Sequence, residues 1–326
     1  MIAATIKPEK ILRDLGELWT SLATGEGAST GVLRACAMTL VVAAESDADA
    51  QAVGETLAEL MHEHPSRAIV LRLSQDESAE LQARVFAQCW MPFGGRQQIC
   101  CEEIEITTPA GHLSDVARVI LGLIVPDLPV VLWCRGARWF DSAEFRHLFA
   151  LADKLILDST HFGDARPALA LLRSLSREGR IGDLAWARLT GWRELVAQIF
   201  EDPANRESLK GASVVSITYG GIRAPVMAFY IAAWLRLRLP DASLEFNAVP
   251  GHEPHLRQIA LQSDGLEARI TAEGATVDVT VGTQVDRAIF PPNTDYSLMR
   301  EELSILGADP IYQAVLPLAQ QLADAS

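Results

Sequence analysis

Chemistry-capable residues gather in four places. In the first, Arg96, Gln97 and Gln98 lead into Ile99-Cys100-Cys101-Glu102-Glu103-Ile104, where a cysteine pair abuts a carboxylate pair. Two carboxylates can act as general acid and base when they converge on one reacting group. Successive side chains of a strand point to opposite faces, however, so Glu102 and Glu103 diverge. The segment reads as a strand with solvated acidic ends or as a recognition edge for a partner. In the second, Gly220, Gly221 and Arg223 join a predicted strand to a helix. Glycines and an arginine at a helix N-terminus can hold a phosphate or carboxylate, while glycine also simply permits a tight turn. The third comprises Cys134-Arg135-Gly136 and Asp158-Ser159, which follow two predicted parallel strands, where doubly wound folds place their ligands. Cys134 lacks a histidine placed by sequence to act as its base. The fourth, His252-Glu253-Pro254-His255, is a loop by virtue of its proline and has no third ligand nearby, so no metal is expected. No G-x-G-x-x-G, P-loop or G-x-S-x-G pattern is present. No catalytic residue and no cofactor are therefore assigned.

The elements that position these residues follow from periodicity. Pro8 opens an amphipathic helix over 8–22, carried by Ile11, Leu15, Leu18, Trp19 and Leu22. A strand over 33–43, a helix over 47–64 stopped by Pro65, and a strand over 68–73 make a βαβ unit and hence a parallel sheet. Residues 85–90 and 99–107 alternate and form a hairpin-like pair around a turn at 92–95. Helix 115–124, strand 130–134, helix 142–151, strand 154–158 and helix 166–178 continue the alternation. The expectation is a Rossmann-like, doubly wound α/β domain over 1–182 without a dinucleotide fingerprint. Beyond it, a helix over 190–200 with Thr190 as its cap, a strand over 213–219 and an apolar helix over 223–239 precede several strands between 244 and 290. Those strands have turns but no helices between them, which predicts an antiparallel meander. Helices over 295–306 and 310–325 close an α+β domain assigned to 183–326.

Composition bounds the partners. Of 326 residues, 49% are hydrophobic and 21% charged, which supports a sizeable globular core. The formal net charge of −14 opposes binding to nucleic acid or anionic membrane and favours a partner with basic groups. The most apolar helix, 224–235, is too short to span a bilayer. No signal-peptide pattern opens the chain. The five cysteines, Cys36, Cys89, Cys100, Cys101 and Cys134, read as reduced thiols of a cytoplasmic protein. Cys36 and Cys134 fall in predicted central strands. Cys89 can meet Cys100 or Cys101 across the hairpin, yet oxidation state is expected to matter little.

Several blocks in order then carry a resemblance: His64-Pro65-Ser66-Arg67, residues 95–106, Leu128-Pro129-Val130-Val131-Leu132-Trp133, residues 151–159, and Asp183-Leu184-Ala185-Trp186 running on to Thr190-Gly191-Trp192-Arg193-Glu194-Leu195. Together with Leu18-Trp19 and the closing helices around Tyr312, they resemble the glucose-6-phosphate dehydrogenase assembly protein (OpcA) family. The resemblance implies a two-domain, non-catalytic protein that binds glucose-6-phosphate dehydrogenase and promotes its active oligomer or its substrate affinity. Photosynthetic members are longer and carry thioredoxin-linked cysteines toward the C-terminus, whereas this chain has none after Cys134. Partner contacts are expected from Arg96, Gln97, Gln98, Glu102 and Glu103. Trp192 and Arg193 join them because Trp and Arg are enriched in binding hot spots. Packing of Trp192 between the two domains is the other reading. A sugar-phosphate sensor using Gly220, Gly221 and Arg223 is the alternative function.

Overall fold

The computed structural model describes residues 7–24, 32–74, 81–92, 97–109, 113–141, 143, 145–209 and 211–326. Arg96, and most of the turn expected at 92–95, lie outside the described residues. The chain divides into two compact units, Met1–Leu157 with Met299–Gly307, and Asp158–Leu298 with Ala308–Ser326.

The first unit begins with α1 (Pro8–Thr24), β1 (Val32–Arg34), β2 (Met38–Ala44), α2 (Asp47–Leu60), β3 (Ser66–Ser74), β4 (Gln82–Trp90) and β5 (Gln98–Pro109). It continues with α3 (Leu113–Leu123), β6 (Val130–Cys134), the short α4 (Phe145–Phe149) and β7 (Lys154–Leu157). Its strands run in the order β1-β5-β3-β2-β6-β7, and β4 lies antiparallel on β5. β2, β3, β5, β6 and β7 are mutually parallel, which is the doubly wound sheet that alternating βα segments dictate. Burial of all seven residues of β2 and all five of β6 explains why these strands read as continuous apolar runs.

Three local expectations change. The strand expected over 33–43 is two strands, since β1 pairs β5 whereas β2 pairs β3 and β6. Cys36 consequently lies between strands rather than in one, half-buried, its thiol donating to the Met38 carbonyl at 3.3 Å. The helix expected over 142–151 contracts to α4, and the expectation of five reduced thiols also fails. Cys89 and Cys100 stand directly opposite each other on β4 and β5, and they form a disulfide with Cα atoms 4.1 Å apart.

The second unit contains α5 (Ala165–Glu178), β8 (Ile181–Asp183), α6 (Leu184–Ala187), α7 (Thr190–Ile199), α8 (Pro203–Leu209) and β9 (Val214–Gly220). There follow α9 (Val226–Arg236), β10 (Ser243–Val249), β11 (Leu256–Ser263), β12 (Leu266–Glu273), β13 (Thr276–Val281), β14 (Gln284–Ile289), α10 (Asp295–Leu303) and α11 (Pro310–Ala325). The boundary expected between 182 and 183 falls within β8. The second sheet runs β10-β9-β11-β12-β13-β14. β11 to β14 are the expected antiparallel meander. β10 instead pairs parallel to β9, because the buried helix α9 makes a crossover between them. α7 does begin at Thr190, but no side chain caps it, and the Thr190 hydroxyl instead accepts a 2.5 Å bond from Arg193.

Candidate functional site

Glu102 and Glu103 are 3% and 6% exposed, so neither is the solvated end that alternation alone suggested. Glu102 takes Arg67 Nε at 2.6 Å, Arg34 at 2.8 Å and the Trp19 indole N–H at 2.6 Å. Arg67 also donates to the Leu123 carbonyl at the end of α3, which makes Glu102 the anchor of α1 and α3 on the sheet. Glu103 accepts from Gln88 on β4, and burial pushes its carboxyl above the usual range against that bond. Both carboxylates are buried and bonded within the chain. Gln97 and Gln98, in contrast, are exposed. Burial raises the Cys101 thiol to about 11 and the Cys134 thiol further still, which leaves neither as a nucleophile.

Trp192 is 6% exposed and packs against Phe290 of the same unit, with ring centroids 5.3 Å apart. It is therefore a core residue of the second unit. Gly191 permits this contact, since a Cβ there would stand 2.8 Å from the Phe290 ring. Arg193 lies over the Trp186 ring at 3.8 Å, and the Trp186 indole donates to Asp309, the N-cap of α11.

The polar centre of the second unit is one that sequence reasoning did not assemble. Asp183 caps α6 by accepting the Ala185 N–H at 3.0 Å. It also accepts the Ser159 N–H at 3.0 Å, the Ser159 hydroxyl at 2.5 Å and the Tyr230 hydroxyl at 2.7 Å. Tyr230 in turn meets Tyr312 at 3.0 Å. Burial, with the nearby charge of Asp158, lifts the Asp183 carboxyl to about 6 despite these donors. For Asp158 burial acts in the same upward direction, but Arg188, bonded to both of its oxygens, prevails and holds it below its usual value. Asp158, Ser159, Asp183 and Tyr312 all lay in recognisable blocks. Their meeting was not legible, because it joins positions 24, 47 and 82 residues apart.

Two neighbouring grooves open beside this network. One, of about 450 Å³, is lined by Ser159, Thr160, Gly221, Arg223, Val226 and His252. The other, of about 500 Å³, includes Thr160, Arg188, Trp192, His255 and Phe290. Gly221 lines the first, and Gly220, which ends β9, precedes it. A Cβ on Gly220 would sit 2.0 Å from the Glu253 carbonyl, and Gly221 has φ +92°. The helix begins later than expected, at Val226 with Pro225 as an N-cap that has no side-chain bond. Arg223 lies in the preceding turn, 81% exposed on its side chain, paired with Asp164 at 3.0 Å. His252, Glu253 and His255 are exposed. Among the described residues, no three His, Cys, Asp or Glu side chains are grouped to hold a metal.

Residues 57–174 match the family described as the glucose-6-phosphate dehydrogenase subunit N-terminal domain. Residues 180–316 match the corresponding C-terminal domain. The two matches cover most of the chain, in order. The chain belongs to the OpcA family.

Two relatives, each named an OxPP cycle protein OpcA, are 28% identical to this OpcA-family chain. The one from Synechocystis sp. aligns over 209 residues, 63% of this chain and 43% of the relative. The one from Nostoc punctiforme aligns over 223 residues, 68% of this chain and 47% of the relative. The alignments thus span less than half the length of these curated relatives. Among solved structures, a 3-ketoreductase from Actinomadura kijaniata shares the fold at TM-score 0.50 and 12% identity, covering 90% of this chain and 96% of that one. At that identity the likeness concerns fold alone. No helix among the described residues is long and apolar enough to cross a membrane.

Proposed function

We propose that this protein is a non-catalytic assembly factor and activator that binds glucose-6-phosphate dehydrogenase in the cytoplasm. The observation that carries the reading is the match of both halves, consecutively, to a family described as subunits of that dehydrogenase. The state of the polar groups supports the non-catalytic part. Glu102, Asp158 and Asp183 are consumed by internal bonds, and the buried thiols are raised rather than activated. Of the sequence-nominated partner contacts, the exposed Gln97 and Gln98 remain available to a partner, and Arg96 adjoins them in sequence.

Titration of the protein into purified cognate dehydrogenase at subsaturating glucose 6-phosphate should raise the rate to a stoichiometric plateau, with a complex visible by sizing. A flat titration and no complex would sink the reading.

A second reading, sugar-phosphate sensing, draws on the groove at Gly220, Gly221 and Arg223, whose arginine faces solvent. It requires glucose 6-phosphate alone to raise the Tm of the native protein but not of Arg223→Ala.

A further inference from the structure

The first sheet has one topological switch point. From β2 the chain winds outward through β3 and β5, then returns through α3 to place β6 on the other side of β2. In doubly wound folds, dinucleotides sit in the crevice at the carboxyl ends of such a strand pair. The pyrophosphate there lies on a glycine-rich turn at the first helix N-terminus. The equivalent turn here, Glu45-Ser46 between β2 and α2, runs into Asp47-Ala48-Asp49 at the start of α2, and none of these residues is glycine.

We infer that this crevice is filled by the chain's own carboxylates and is closed to nicotinamide dinucleotides. Two backbone donors and a guanidinium at this turn are already engaged by the chain's own side chains. Ser46 Oγ accepts the Asp49 N–H at 3.1 Å, which caps α2. Asp49 Oδ2 accepts the Glu45 N–H at 3.0 Å, and Asp49 Oδ1 holds Arg135 Nε at 2.5 Å. An acidic side chain thus stands between a backbone N–H and a guanidinium, the pair of donors that phosphates recruit at such turns.

The opposite wall is closed as well. Gly136, just past β6, has Glu45 lying against it so closely that a Cβ would stand 1.7 Å from Glu45 Oε1. Arg138 reaches back to the Glu45 carbonyl at 2.9 Å and to its carboxylate at 3.6 Å. Arg135 is further fixed by lying over the Trp133 ring, 4.7 Å from its centroid, with its own N–H on the Ala43 carbonyl. A pyrophosphate entering here would displace the Glu45 side chain and face two carboxylates of its own sign. Like-charge juxtaposition of this kind acts directly against an anionic ligand.

Two measurements on the full chain test this. Hydrogen–deuterium exchange of the peptides covering 44–50 and 133–138 should be unchanged by about 1 mM NADP+ or NAD+, a concentration that would reveal even weak binding. Protection of those peptides by either dinucleotide would overturn the inference. Thermal unfolding of Asp49→Asn, Arg135→Gln and the double variant then tests whether the carboxylate serves as the arginine's partner. Each single variant should lower Tm by several degrees, and the double variant by clearly less than the two losses added. Additive losses would mean that Asp49 and Arg135 are not coupled and that the carboxylate does not occupy the phosphate's place.

Discussion

Asp183 illustrates how burial and donors compete at a single residue. Its four hydrogen bonds favour the charged form, yet burial and the Asp158 charge raise the carboxyl from 3.8 to about 6. A raised carboxylate takes up a proton more readily in the folded than in the unfolded protein. Its contribution to stability is therefore fully present below about pH 4 and is lost as pH rises through about 6. The shift corresponds to about 3 kcal/mol at neutral pH. The groups facing it are Ser159, Tyr230, Tyr312 beyond Tyr230, and Asp158 with its partners Arg188 and His161. Asp158, held below its usual value, acts in the opposite sense but is common to both proteins being compared. Asn at position 183 reproduces the uncharged carboxyl, and the two hydroxyls can turn to accept from its amide. The Tm of Asp183→Asn relative to the native protein should therefore climb from pH 4 to pH 7. A Tm difference constant across that range would mean that Asp183 does not titrate.

Among the elements, the β4–β5 pair is held by more than its ladder. Cys89 is exposed on the outer strand and its partner Cys100 is fully buried on β5, so a reductant can reach the bond from one side only. The bond joins cysteines 11 positions apart in the sequence, and cross-links of that span contribute about 3 kcal/mol, mainly by restricting the unfolded chain. Reduction should lower Tm by several degrees, and Cys89→Ser should do the same and abolish the effect of reductant. Because β4 remains on β5 through nine opposed residue pairs, the surface of this edge persists without the bond. Activation of the dehydrogenase should thus be equal for oxidised and reduced protein. A several-fold difference that vanishes in Cys89→Ser would instead make the bond a switch.

On the scale of the whole molecule, the net charge of −14 bears on the proposed association. If the dehydrogenase offers a basic surface, encounter is steered by a field that salt screens. Raising salt from 0.1 to 1 M shortens the Debye length from about 10 to about 3 Å. The association rate with the cognate dehydrogenase should fall roughly tenfold or more over that range, while the dissociation rate changes little. An association rate indifferent to salt would show that the acidic surface plays no part in recognition.

The sequence by itself determined the alternation of apolar strands and amphipathic helices, the meander over β11 to β14 and the family. Periodicity and ordered motif blocks are local signals, and local signals survive without coordinates. It determined also that no phosphate-binding glycine fingerprint follows the first strand of the parallel sheet. Only the tertiary structure decided what became of the charged residues. Alternation along β5 correctly sends Glu102 and Glu103 to opposite faces, but it is silent on what covers each face. Arg34, Arg67 and Trp19 arrive at Glu102 from other elements, and Gln88 reaches Glu103 from β4. Trp192 likewise turned from a candidate contact into core because Phe290, nearly a hundred positions away, lies on it. Asp49 became the partner of Arg135 because β2 and β6 are neighbours, a pairing 86 residues apart that no spacing rule encodes. Whether a carboxylate is a site, a cap or a plug depends on its burial and on who donates to it, and those are properties of the folded chain.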